Sequence, residues 1–495
     1  MAKKTTETYS MSITLNVLNH LGINLYSNVP AVLSEVVANA WDADAEYVDI
    51  DLHDKENISI TDNGHGMTIK DANEKFLRVG YQRREEGEAI TKTLKRPVMG
   101  RKGIGKLSLF SIAKTIEVYS VRSGECHGFR MNLDKIIEQI ENKQTDYHPE
   151  KLSPNNFPSD LKKGTRVVIS DFKRKLRQTE SNLRRRLARR FSVIDDSHKF
   201  SIKINGEPIS VEDRDCFGKI QFLWHYGSTT AEYDKKCSNS VSVKKRPNKL
   251  GQNKYEINGW IGTVRESGLL IDQETRDNLN KIVIMFRGKV AQEDILSEFN
   301  EGGMYTKYIF GEITADFLDS DDQDDIATSS RQKLLEEDER YIELKDFIGK
   351  ELKHIQNSWT ELRNEQGKTK AFEIPAIKDW YQSLGKDVKK RAVSLFGKIN
   401  QLTIDSDEDR NTLLKHGILA FESMRVKENL DALDQLEGNE LNEFIKIFDD
   451  IDDIESTFYR QIVQSRVEVI HSLQQKIDAD SCKHRPENVA PAGKW

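Results

Sequence analysis

Between Asn28 and Trp41 the apolar residues Ala31, Val32, Val36 and Ala40 recur at helical spacing, with Glu35 and Asn39 set among them. That spacing predicts a helix. Tyr47–Leu52 alternates between apolar and polar positions and predicts a strand, as does Ile58–Thr61. Asp62–Met67 interrupts the pattern with two glycines and reads as a turn. Asp71–Phe76 is helical in pattern. Residues 80–99 are polar and weakly periodic, as expected of an exposed loop. Gly100–Gly105 is a second glycine-rich loop, which opens a helix over Lys106–Lys114, and strands Thr115–Val121 and Arg166–Asp171 follow. Residues 200–345 mix strand and helix again, with strands at Ser201–Ile204, Lys254–Val264, Lys281–Phe286 and Tyr308–Ala315. From about Glu336 onward the pattern is helical. Leu441, Phe444, Ile445, Phe448, Ile451 and Ile454 begin a run of three- and four-residue steps that continues to Leu473. An α+β fold follows, with mixed strand and helix over residues 1–172, a connecting segment over 173–199, a second α+β region over 200–345, a helical interaction or dimerisation region over 346–480 and an unstructured tail over 481–495.

Composition narrows the classes. Apolar residues make up 37% of the 495 and charged residues 32%, against about 25% charged in ordinary globular chains. The apolar share still builds several cores, so the charge excess points to solvated helix. Net charge is 75 − 81 = −6, which excludes a uniformly basic nucleic-acid coat; any basic surface must be local. No proline lies between Pro375 and Pro486, which favours helix. Met1–Thr6 has no apolar leader core, and apolar runs such as Ile282–Phe286 are far too short to cross a membrane. Cys126, Cys216, Cys237 and Cys482 show no paired spacing. Free thiols in a reducing cytoplasm are therefore expected, with neither a disulfide framework nor a structural zinc site.

Three short segments carry candidate chemistry. Glu35, Asn39 and Asp42 stand at i, i+4 and i+7, on one helix face. Such a face can hold magnesium through oxygen and place a water beside a base; a solvated polar face is the alternative. Asp62-Asn63-Gly64-His65-Gly66-Met67 follows a strand. Its glycines permit positive φ or close approach to a flat ligand, and Asp62 can accept a hydrogen bond from an exocyclic amine; a plain tight turn is the alternative. Gly100-Arg101-Lys102-Gly103-Ile104-Gly105-Lys106 opens a helix, so its amides form a potential anion site. It lacks the Walker A spacing and no strand leads directly into it.

The order and spacing of the three segments resemble the GHKL ATPase superfamily, which includes gyrase, the ninety-kilodalton heat-shock chaperone, histidine kinases, MutL and MORC proteins. ExxxNxxDA is Glu35–Ala43, DxGxGM is Asp62–Met67 and GxxGxG is Gly100–Gly105. Gly164-Thr165, before a strand, resembles the fourth element, and the likeness covers about residues 8–172. The resemblance implies a Bergerat-fold α/β sandwich over residues 1–172 that binds ATP and Mg2+, followed by a transducer-like α+β domain over 200–345. It matches Glu35 to the general base, Asn39 to the magnesium ligand, Asp42 to a supporting acid and Asp62 to the adenine-amine carboxylate. Gly64, Gly66 and Met67 would shape the adenine pocket. Gly100, Gly103, Ile104 and Gly105 would form the phosphate lid, with Lys102 and Lys106 as further phosphate contacts and Thr165 from the fourth element. The glutamate argues against a histidine kinase, where that position is typically asparagine.

Downstream, Gly311–Asp319 runs as a strand into an acidic loop and then Thr328-Ser329-Ser330-Arg331-Gln332. This resembles the chaperone's middle-domain segment whose arginine reaches the γ-phosphate, making Arg331 the candidate sensor and Lys289 the alternative. The basic run Lys173–Arg190 holds nine Lys/Arg against one Glu. It reads as a solvated helix or as a nucleic-acid backbone contact, and both readings stay open. The likeness is greatest to MORC-like and chaperone-like bacterial ATPases. It implies an ATP-dependent homodimer, with stand-alone forms in DNA-directed or antiphage defence and room for a separate effector protein. The alternatives are a protein-remodelling chaperone and a nucleotide-binding scaffold without turnover. No topoisomerase-type or endonuclease-type motif is evident in the sequence.

Overall fold

The computed structural model describes residues 28–52, 56–142, 147–175, 179–194, 198–227, 235–237, 242–299, 304–328, 333–402 and 407–426. Arg331, Gln332, the helical pattern from Leu441 to Leu473 and the tail lie outside the described residues. The chain forms two compact units, Met1–His354 and Ile355–Trp495.

The first unit is α+β. Helix α1, Val29–Asp42, begins where the Asn28 side chain accepts a hydrogen bond from the Ala31 amide at 2.9 Å and Pro30 occupies the first turn, a strong start signal. Its apolar face, including Val32, Leu33, Val36, Val37 and Trp41, is buried. The first sheet has eight strands: β1 Tyr47–Asp51, β2 Asn57–Asp62, β3 Ala113–Arg122, β4 Glu125–Asn132, β5 Glu150–Lys151, β6 Gly164–Phe172, β7 Ser201–Ile204 and β8 Glu207–Pro208. Their order is β5-β4-β3-β6-β2-β1-β7-β8. The central pairs are antiparallel, with Ile50 opposite Ile60, Ile60 opposite Val167 and Val167 opposite Val118. In β1 and β2 every second residue is buried, as in a sheet with one covered face. Helices α2, Leu133–Glu141, and α3, Glu180–Ala188, complete this part.

A second sheet follows: β9 Ile220–Tyr226, β10 Ser242–Arg246, β13 Asn258–Val264, β14 Ile282–Phe286, β15 Lys289–Gln292 and β16 Ile309–Thr314, in the order β10-β9-β13-β16-β14-β15. The two-residue strands β11, Lys249–Leu250, and β12, Tyr255–Glu256, make a small hairpin beside it. Helix α4 spans Glu339–Ala371. The second unit is helical where described, with α5 Pro375–Ser383, α6 Lys386–Gln401 and α7 Asp407–Val426 around Leu395, Phe396, Ile399 and Phe421. No described helix is long and apolar enough to cross a membrane.

Four local expectations shift. Ser201–Ile204, read as opening the second region, instead extends the first sheet, pairing parallel to β1 with Val48 opposite Ile202. The helix expected over Lys106–Lys114 is a 3-10 turn, Gly105–Ser111, and the strand begins at Ala113 because it pairs with Phe172 of β6. Asp71–Phe76 is a capped turn, Ile69–Asp71, running into a π-turn, Ala72–Phe76. Among its described residues the basic run is helical only over Glu180–Ala188, where Thr179 caps the helix.

Candidate nucleotide site

A cavity of about 400 Å³ lies over the first sheet, walled by α1, the end of β2, the glycine-rich loop and the segment after β16. Burying the apolar face of α1 turns Glu35 and Asn39 toward it. Asn39 is exposed, and its side chain has no partner among the described residues. Asp42 lies deeper. Its carboxylate accepts the Met99 and Gly100 amides at 2.8 and 2.9 Å, so it anchors the start of the loop. Burial pushes its carboxyl above the usual range, against the pull of those amides and of Arg83.

Asp62 ends β2 at the cavity floor. Its Oδ1 accepts the Gly64 amide at 2.8 Å. Burial pushes the carboxyl up to about 6, although the Gly64 and Thr165 amides favour its ionised form. Gly66 sits at φ +66, where a Cβ would strike the Val121 carbonyl, so only glycine fits the turn. The Met67 amide donates to Ser120 Oγ at 2.8 Å, and Ser120 also approaches Thr165 Oγ1 at 3.4 Å.

The glycine-rich loop closes the opposite side. A Cβ on Gly105 would lie 2.6 Å from Glu35 Oε2, so the loop's end packs directly on that carboxylate. Ile104 is buried beneath it. Lys106 donates to the Lys75 and Arg78 carbonyls at 3.1 and 2.6 Å, and burial lowers its ammonium to about 8. Lys102 bonds the Ala327 carbonyl and lies 3.5 Å from Asp325.

The second sheet reaches the same place. Arg287 and Gly288, at φ +46 and +84, make the two-residue turn between β14 and β15, as a type I′ hairpin requires. The turn delivers Lys289, 2% exposed, to Glu35, with Nζ 2.8 Å from Oε1. Phe191 pairs with Lys289 across a backbone bridge and fixes the strand there.

Residues 26–165 match the family described as "Histidine kinase-, DNA gyrase B-, and HSP90-like ATPase". These residues are a GHKL-type ATPase domain. The chain is also similar to "Putative type II restriction enzyme HgiDII" of Herpetosiphon aurantiacus, 41% identical over 362 residues. That match covers 72% of this chain and 57% of the relative.

The cavity of the ATPase domain suits its implied ligands. Asp62 faces it as an acceptor, the loop offers amides and cations, and the unengaged Asn39 amide oxygen is a hard donor suited to Mg2+, which completes its shell with water and substrate phosphate. No cluster of three or more His, Cys, Asp or Glu suited to a metal occurs among the described residues. Glu35, Asn39, Asp42, Asp62, Gly66, Met67, Gly100–Lys106 and Thr165 all line the cavity. Gly64 stands behind Asp62, where a Cβ would meet the Ala43 carbonyl at 2.7 Å.

Residues read only as an exposed loop also belong to this site. Arg83 lines it and donates to the Asp42 carbonyl at 2.7 Å. Arg84 is buried. It holds the Gly100, Val98 and Met99 carbonyls and bonds Asp319 at 2.8 Å. Arg101 and Arg287 meet the same carboxylate, at 2.9 and 3.4 Å. Paired cations in the loop were the available signal, but their partner lies more than two hundred residues on. The arginines of α3 are engaged too. Arg184 bonds Asp213, Arg185 bonds Asp215 and Asp272, Arg186 bonds Asp277, Arg189 bonds Asp272 and Arg190 bonds Glu293. Of the basic run, Lys173, Arg174 and Lys175 keep exposed side chains with no ion pair among the described residues.

Proposed function

We propose that this chain is an ATP-hydrolysing conformational switch whose second sheet senses the γ-phosphate through Lys289. The observation that carries the reading is the Lys289–Glu35 ion pair, which joins the sensor strand to the candidate base. Without nucleotide, Lys289 holds the Glu35 carboxylate. A γ-phosphate offers Lys289 a more highly charged partner, and the shift of Lys289 toward it frees Glu35 to take a proton from water while ATP is still bound. The water oxygen then bonds to the γ-phosphorus, the bond to the ADP oxygen breaks, and inorganic phosphate leaves. Bound magnesium, held at Asn39, would neutralise charge on the phosphates. Arg331, carried over from the resemblance, is the alternative phosphate ligand. Because the γ-phosphate makes its contacts only before hydrolysis, the cycle alternates two states of the lid and second sheet.

The named relative supports a DNA-directed defence role, and ATP-driven pairing of two copies follows the superfamily likeness. Chaperone action is the second reading, carried by the superfamily likeness alone. The deciding experiment compares wild type with Glu35→Ala and Lys289→Met. Glu35→Ala should bind ATP within a few fold of wild type and lose roughly 10²- to 10⁴-fold in turnover. Lys289→Met should also bind ATP and lose turnover, and mass measured with a non-hydrolysable analogue should report a dimer for wild type. Unchanged turnover in Glu35→Ala would sink the assignment.

A further inference from the structure

A second cavity, of about 310 Å³, lies between α3, the start of α1 and the second sheet. That volume falls at the lower end of the roughly 300–1,000 Å³ typical of small-molecule sites. One wall is aromatic: the Trp260 and Phe310 rings meet edge to face with centroids 5.1 Å apart. Another is cationic, with Arg189, Arg190 and Lys281. Five cations and three carboxylates line the cavity, and Arg189 also pairs with Asp272 outside the lining, leaving one positive charge in excess, on Lys281.

Three donors there lack full satisfaction. Trp260 is 3% exposed, and its indole N–H meets no acceptor among the described residues. Arg189 bonds Asp272 through Nη2, while its buried Nη1 has no hydrogen bond among the described residues and lies 3.8 Å from Asp277 Oδ2. Lys281 is half-buried and forms no ion pair among the described residues. Buried donors without acceptors are costly, and an anionic ligand would remove that cost. An aromatic wall beside such donors suits a flat ring that carries the anion.

The cavity also adjoins the catalytic pair. Arg190 donates to Ser34 Oγ at 3.3 Å, next to Glu35, and bonds Glu293 at 3.0 Å, just past the strand that bears Lys289. Its carbonyl accepts the Val290 amide at 3.1 Å, one residue from Lys289. A ligand against Arg190 therefore bears on both ends of the Lys289–Glu35 contact.

We propose that this cavity is an effector site for a flat aromatic phosphate ester, a nucleoside monophosphate in size, and that its occupancy changes the rate of ATP turnover. The regulatory half rests on the proposed ATPase function; the binding half does not. The test titrates the full chain with uridine monophosphate by calorimetry, with a non-hydrolysable ATP analogue saturating the nucleotide site. Inorganic phosphate is titrated in parallel. Uridine monophosphate should bind at least about tenfold more tightly than phosphate. Lys281→Gln should weaken it by about tenfold, and Leu279→Trp, which fills the cavity from a loop, should abolish it. Turnover in wild type should shift at least threefold with the ligand, and in Leu279→Trp it should not. No binding, equal binding of phosphate, or binding untouched by both substitutions overturns the site. Binding without any change in turnover overturns the coupling, and absent turnover in every sample points instead to failure of the ATPase reading.

Discussion

Asp62 is where sequence and chemistry meet most directly. Its place after a strand and before two glycines allowed an acceptor for an exocyclic amine, the superfamily resemblance matched it to the adenine-amine carboxylate, and the fold sets it at the cavity floor. Burial pushes its carboxyl up to about 6. A carboxylate accepts from an amine far better than its protonated form, so ATP affinity should be full above pH 7 and fall as pH drops through about 6. Calorimetric ATP binding between pH 5 and 8 reads this directly. Asp62→Asn should weaken binding at least about tenfold and flatten the profile; a profile that stays pH-dependent in Asp62→Asn would move the titration to another group. The same raised value means the acidic form is favoured by the folded chain, so this group contributes stability below about pH 4 that is lost as pH rises through about 6. Glu35, Asn39 and Asp62 were legible because each sits in a short local motif. Lys289 was harder: its turn, Arg287-Gly288, is recognisable, but only the folded sheet brings it to Glu35.

At the scale of elements, the lid is tied to the second sheet through one carboxylate. Arg101 comes from the glycine-rich loop, Arg84 from the segment just before it and Arg287 from the β14–β15 turn, and all three meet Asp319. Read as sequence, the six aspartates from Asp316 to Asp325 looked like a solvated acidic loop. Folded, three of them are counter-ions: Asp319 serving the three arginines, Asp321 serving Arg287 and Asp325 serving Lys102. Sequence could not pair them, because Arg84 and Asp319 are 235 residues apart. Removing a shared buried anion leaves three guanidiniums without it, which typically costs about 3–5 kcal/mol. Asp319→Ala should therefore lower the melting temperature by several degrees and speed tryptic cleavage in the lid near Arg101 and Lys102. It should also raise the ATP concentration needed for half-maximal turnover. Asp319→Asn, which keeps the shape and some hydrogen bonds, should fall between. An unchanged lid cleavage rate in Asp319→Ala would break the proposed linkage.

At the scale of the whole molecule, the net charge of −6 conceals pairs that neutralise one another across the fold. The basic helix α3 answers carboxylates at Asp213, Asp215, Asp272 and Asp277 rather than an outside polyanion. Asp272 shows how firmly. Burial pulls its carboxyl upward, but Arg189 and the Thr275 and Glu274 amides outweigh that pull and hold it well below the usual range. Among the described residues, the free positive charge of the run precedes α3, on exposed Lys173, Arg174 and Lys175. If the proposed switch acts on DNA, its phosphate contacts should come from there. Each such contact contributes about 0.9 to the slope of log affinity against log salt, so reversing all three charges should reduce the slope by about three. Binding at two salt concentrations measures it. Reversing Arg184, Arg185 and Arg186 should instead lower the melting temperature, since like charges would then face Asp213, Asp215 and Asp277, while the protein that stays folded keeps its salt slope. The opposite result, a lost slope from the α3 reversal and none from Lys173–Lys175, would return the nucleic-acid contact to the helix.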